Sequence, residues 1–202
     1  MHDTRKAATM HSTNALICAQ ARVQFGFSLL EVSIATAVIL LLAIIGIPAI
    51  NNHVIESRVP KAGEEVARFA LHARVNAAQS STAPYRGIGT HMLAALADGS
   101  GALTVLGNGP NVRVLHGLGS DGEIRVGEHA SGTGMTVTFT RVNGAACPGI
   151  ASVLQRMASS ITLSAAGRSH VTLKDAGVAY SAVQAAAHCA KGDANTFTFV
   201  MG

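Results

Sequence analysis

A single ionisable side chain, Glu31, interrupts residues 27–50, which read FSLLEVSIATAVILLLAIIGIPAI. A carboxylate among aliphatic side chains in a membrane costs on the order of several kcal/mol unless something neutralises it, so it marks a function or a partner. Four positions earlier stands Phe27, preceded by Gly26, a small residue at the boundary between a polar segment and the apolar run. Hydrolysis of the Gly26–Phe27 peptide bond would keep the apolar run on the product and create a new amine on Phe27. In a packed assembly of such helices, the amine of one copy could meet Glu31 of its neighbour. Snorkelling of Glu31 to the membrane interface, from about one turn inside the helix, is the other reading the residues leave open.

The three cysteines are Cys18, Cys147 and Cys189. With Cys18 removed in a leader, the other two form an even set. A disulfide between them would close a loop of about 40 residues and contribute ~3–4 kcal/mol, which requires an oxidising compartment. Two independent buried thiols are the competing reading. Of the nine histidines, His53, His72, His91, His116, His129, His170 and His188 show no HxH, HExxH or CxxC spacing, so they read as scattered surface residues and no metal site is expected. The glycines of residues 99–101 and 117–122 do not lie between a strand and a helix and read as turns rather than phosphate cradles. With no GxSxG, no ordered Cys and His pair and no close carboxylate pair, no catalytic residue and no cofactor is expected.

The elements that would position these residues follow from hydropathy and period. As a helix, residues 27–50 are roughly 36 Å long at about 1.5 Å per residue, enough to span a bilayer. Arg5, Lys6 and Arg22 precede the span and keep that end in the cytoplasm. A secretory signal would place its small-residue cleavage site after a shorter apolar stretch, the reverse of the order here. The formal net charge is +4, with much of the excess in that early segment; later charges are scattered singly without interleaved aromatics, which excludes nucleic-acid binding.

Beyond the span, Ile55, Val59, Ala62, Val66, Phe69, Ala73 and Ala77 recur at spacings of three and four, so the helix continues, amphipathic, to about Gln79. Pro48 and Pro60 each remove a backbone donor and are expected to kink or locally melt it, helped by Gly46 and Gly63. Ser80 to Pro84 end it. YRGIG, with Gly87 and Gly89, permits a turn, and a short helical piece around residues 91–97 can follow. From Ala102 onwards, ALTVL, NVRVLH, GEIRV, MTVTFTRV, ITLS, HVTLK and NTFTFVM alternate with period two and predict an antiparallel sheet. Residues 148–159 and 178–188 have helical length and spacing. The fold class is α+β, a long N-terminal helix covering one face of an antiparallel sheet.

Gly26 followed by Phe27, Ser28, Leu29, Leu30, Glu31 and a long aliphatic run, with Pro48 some twenty residues in, resembles the cleavage and methylation motif of the type IV pilin family. Cys147 just before a helix, Cys189 just after another, and a final NTFTFV strand resemble the major pilins of the type IVb group. The long leader fits that group, and the YRGIG turn is reminiscent of it; Phe27 instead follows the type IVa pattern. The resemblance implies four segments: a leader over 1–26, a transmembrane and polymerisation helix over 27–50, its amphipathic continuation over 51–80, and a globular α+β head over 81–202. It implies cleavage between Gly26 and Phe27 by a prepilin peptidase, N-methylation of Phe27, and assembly through Phe27 and Glu31 into a homopolymer. The partners would be identical subunits, the peptidase and the assembly machinery of the inner membrane, where the precursor resides before joining a filament on the cell surface. Two alternatives share part of this pattern. A pseudopilin of a type II secretion system has the same motif and helix, although such heads generally lack this cysteine placement. A membrane-anchored periplasmic binding domain would tolerate replacement of Gly26 and Glu31.

Overall fold

The computed structural model describes residues 26, 28–77 and 82–202, so the leader and Phe27 lie outside the described residues. The chain divides into two compact units, Met1–Leu42 and Ala43–Gly202. Helix α1, Leu29–Ala77, begins in the first and ends in the second.

Within the first unit, α1 starts at Ser28. Its Oγ accepts the Leu30 N–H at 3.3 Å, satisfying one of the donors that a helix start leaves open, and its carbonyl accepts the first intrahelical bond, from the Val32 N–H at 3.1 Å. Glu31 lies in the first turn, where a negative charge is favourable against the helix dipole. The two hydroxyls that follow are also satisfied locally. Ser33 Oγ donates to Leu30 O at 2.8 Å, and Thr36 Oγ1 reaches Val32 O and Ser33 O at 3.0 and 2.9 Å. Hydroxyls bonded back to their own helix are compatible with a hydrocarbon surround. α1 is assigned as helix without interruption through Pro48 and Pro60, so local melting does not occur at either. Its expected end near Gln79 lies outside the described residues.

In the second unit, helix α2 (Thr90–Ala97) is followed by strands β1 (Thr104–Leu106), β2 (Arg113–Leu115), β3 (Glu123–His129) and β4 (Gly134–Val142). Then come α3 (Cys147–Leu154), β5 (Ser160–Ala165), β6 (Val171–Lys174), α4 (Ala182–His188) and β7 (Asn195–Met201). The seven strands form one antiparallel sheet in the order β1-β2-β3-β4-β7-β5-β6, so the last strand lies inside it, between β4 and β5. Along β7 the inward positions Asn195, Phe197, Phe199 and Met201 are buried, and the intervening Thr196, Thr198 and Val200 are half-buried, the period of a strand with one face on the core. Register pairs Phe139 with Phe197 and Val137 with Phe199 across β4 and β7. The rings of Phe139 and Phe199 meet edge to face at 5.8 Å.

The later part of α1 packs on this core. Val59, Ala62, Val66, Phe69, Ala70 and Ala77 are buried in it, with Ile55 and Ala73 partly buried against it. Small residues set how closely the helices approach. A Cβ on Gly63 would run into Val153 of α3, and one on Gly149 would lie 3.2 Å from Val59 Cγ1. Two helices differ in extent from expectation. α3 stops at Leu154 rather than near Ser159, and Lys174 Nζ donates to Gln155 O at 2.6 Å and Ala158 O at 2.7 Å just past its end. α4 begins at Ala182 rather than Val178. Asp175 Oδ1 takes the Gly177 and Val178 N–H groups into a turn, and Ser181 Oγ then caps the helix by accepting from Gln184 N.

Candidate functional site

The first candidate is the start of α1. Leu29 is 90% exposed, and Leu30, Val32, Ile34, Val38, Ile39, Leu40, Leu41 and Leu42 are all exposed, on every side of the helix. Apolar side chains all round a helix have no aqueous solution; they require lipid or other helices. Among the described residues, α1 is long and apolar enough to cross a membrane, and none of its most apolar stretch is buried. Gly26 is exposed with open space where a side chain would be, and Glu31 is exposed with no ion pair among the described residues. The cut expected after Gly26 and the methylation expected at Phe27 both fall on Phe27, which lies outside the described residues. Ser28, whose capping role sequence reasoning missed, is legible afterwards as a serine immediately before a helical run.

The second candidate is the staple in the head. Cys147, fully buried at the first turn of α3, is joined by a disulfide to Cys189, which caps the C-terminus of α4. The bond spans 42 residues of sequence and encloses β5 and β6. Further bonds hold α4 in place: Arg168 Nη1 donates to Ala187 O at 3.0 Å, supplying a cation at the helix C-terminus.

Beside the staple lies a polar cluster built on a β-bulge. The β4 to β7 register gains one residue between Phe139 and Val142, and Arg141 there has φ 55°. Asn195 occupies the irregular place: its amide donates to Val142 O at 3.0 Å and Ala190 O at 2.9 Å, and its Oδ1 accepts the Ala190 N–H at 2.7 Å. Asp193 accepts from the Ser120 N–H at 2.8 Å and from Asn143 Nδ2 at 2.6 Å. Desolvation works to raise the Asp193 pKa, but the bonds from Ser120 and Asn143 and the charge of Arg141 outweigh it and hold the carboxyl below its ordinary value.

His116 corrects the reading of the histidines as surface residues, because it is 1% exposed. Its ring lies beside Phe139, with Nε2 2.9 Å from Thr140 O and Nδ1 2.9 Å from the Leu118 nitrogen. The Leu118 N–H can only donate, so Nδ1 carries no proton and Nε2–H points at the carbonyl. Burial lowers the His116 pKa against smaller raising effects of the Thr140 carbonyl and the Asp193 charge. The signal was phase: Val112, Val114 and His116 alternate, and Val114 is fully buried. Of the other histidines in the described residues, His53, His72, His91, His129 and His170 are exposed and His188 is half-buried.

On β2 and β3, Glu123 bridges two arginines: Arg113 Nε lies 2.6 Å from Oε1, and Arg125 Nη2 lies 3.3 Å from Oε2. Desolvation pushes the Glu123 carboxyl up, and Arg113 and Arg125 overcome it and hold it below its ordinary value.

Comparison with known families finds that residues 119–202 match the family model described as PilS N terminal. The match begins in the loop after β2 and covers the bulge, both disulfide cysteines and the last strand. No curated protein matches the chain.

Proposed function

We propose, from the premise that this is a type IV pilin-like structural protein, that the chain is the polymerising subunit, most like a major pilin, of a type IVb pilus. The observation that carries the reading is the PilS match on a disulfide-stapled head whose spine helix begins with aliphatic residues exposed on every side. A prepilin peptidase would cut between Gly26 and Phe27, and the new Phe27 amine would be methylated. Until extraction, the precursor resides in the inner membrane with residues 27–50 in lipid.

Assembly then transfers the aliphatic start of α1 from lipid into a bundle of identical helices. Apolar contact is present on both sides of that transfer, so it supplies little driving force, and close packing with satisfied polar groups must select the bundle. Glu31 is the polar group left over. Pairing its carboxylate with the Phe27 amine of an adjacent copy removes the cost of an isolated buried charge and fixes the register of one helix against the next. Bends at Pro48 and Pro60 would let α1 adjust along the bundle without losing its helical continuity. The head, with the Cys147–Cys189 staple, would face the extracellular medium.

N-terminal mass spectrometry of the protein from sheared surface filaments, and separately from membranes, tests this reading. A surface species beginning at methylated Phe27 is expected. A processed species confined to membranes would indicate a pseudopilin, and an intact Gly26–Phe27 bond would reject processing altogether.

A further inference from the structure

The loop of residues 116–122 between β2 and β3 is fastened at several points that converge on one ring. Its ends are closed by the His116 N–H to Gly122 O at 3.1 Å, and its middle by the Asn143 N–H to Leu118 O at 2.8 Å. The His116 ring joins the loop to the bulge, accepting the Leu118 N–H and donating to Thr140 O. Leu118 is fully buried, and any side chain at Gly122 would occupy the place of the ring. From α1, Arg58 Nη1 reaches Gly117 O at 3.4 Å, and from the segment before β7, Asp193 takes the Ser120 N–H.

We infer that residues 116–122 form an acid-released latch whose pin is His116: protonation of Nδ1 opens the loop while the sheet beneath stays folded. A proton on Nδ1 turns the acceptor that holds the Leu118 N–H into a second donor, so two N–H groups face each other at hydrogen-bond distance in a dry site. Opening the loop hydrates the imidazolium and frees the Leu118 N–H to find water.

The charged groups around the ring act in both directions. Asp193 favours the imidazolium, whereas Arg58 from α1 and Arg141 from β4 are permanent cations in the same region; Glu123, next along β3, is held by Arg113 and Arg125. Burial outweighs the Asp193 charge and keeps the closed form neutral. An opened loop regains the ordinary imidazole pKa of about 6.5. The closed latch is therefore fully favoured above that value and loses ground as pH falls below it, by at most about tenfold in population for each pH unit. Asp193 and Glu123, both held below ordinary carboxylate values, stay ionised across this window and do not confuse the readout.

Hydrogen–deuterium exchange of the full chain in detergent micelles, corrected for the intrinsic pH dependence of exchange, tests the latch. Between pH 7.5 and 5.5 the protection of residues 118–122 is expected to fall, by up to about tenfold, while peptides from β4 and β7 keep theirs. Unchanged protection of the loop, or loss in parallel with β4 and β7, would overturn the inference. His116→Asn supplies a second check, since Asn can accept the N–H two residues on and does not titrate. Its loop is expected to be less protected overall but equally so at both pH values; a persisting acid-dependent loss would assign the titration to another group and reject His116 as the pin.

Discussion

The two ends of α1 use the same aliphatic vocabulary for opposite purposes. Residues 29–42 show Leu, Ile and Val on every side, and all of those are exposed. From Val59 to Ala77 the chain itself buries a stripe of Val59, Ala62, Val66, Phe69, Ala70 and Ala77, while Lys61, Glu64, Arg68 and Arg74, with Leu71 and Val75 among them, occupy the outer face. The lesson concerns who supplies the partner surface. A stripe is completed by its own head, whereas an all-round apolar cylinder is completed only by lipid or by other copies.

Phe69→Ala tests the self-completed end most severely, with an expected loss of ~3–5 kcal/mol of head stability, read as a lower thermal midpoint of the full chain in detergent. Its counterpart Ile39→Ala is expected to leave that midpoint within about 0.5 kcal/mol; equal costs at both positions would abolish the distinction. Cys147→Ser should come next, at ~3–4 kcal/mol from the lost loop constraint, and free thiols at both cysteines in the oxidised wild-type protein would remove the staple entirely. Gly63→Leu should cost ~1–3 kcal/mol through overpacking against Val153, partly restored by Val153→Ala. Gly46→Leu, where a side chain meets open space, should be silent in the same assay. Glu31→Val is expected to have the smallest effect on head melting, within about 0.5 kcal/mol, yet to abolish filaments while permitting cleavage. Normal filaments from that variant would refute the assembly role of Glu31.

What could be read directly from the sequence was local and periodic. Each of the seven strands coincides with a period-two run, and the buried stripe of α1 coincides with the three-and-four spacing from Ile55 to Ala77. The same period also contained His116 and Asn195 on inward phases, but for His116 residue type argued for the surface and overrode it. Only the bulge at Arg141 explains why two polar side chains are satisfied there: it leaves the carbonyls of Thr140 and Val142 for their use. A bulge, and the order of strands in a sheet, depend on pairing between segments far apart in the chain, and no local spacing encodes them. α3 was read too long because helical spacing continued past Leu154, while the lysine that bonds the carbonyls beyond its end comes from β6.

The position of β7 has a consequence in time. β1 to β4 form one contiguous half of the sheet and β5 with β6 the other, and both halves hydrogen-bond to residues 195–201 rather than to each other. A chain delivered in order from its N-terminus, from a ribosome or through a translocation pore, can complete each half and even close the Cys147–Cys189 bond before that strand arrives. Until it does, two unpaired edges stay open to other strands, so the interval before residues 195–201 emerge is when the protein is most exposed to misassembly.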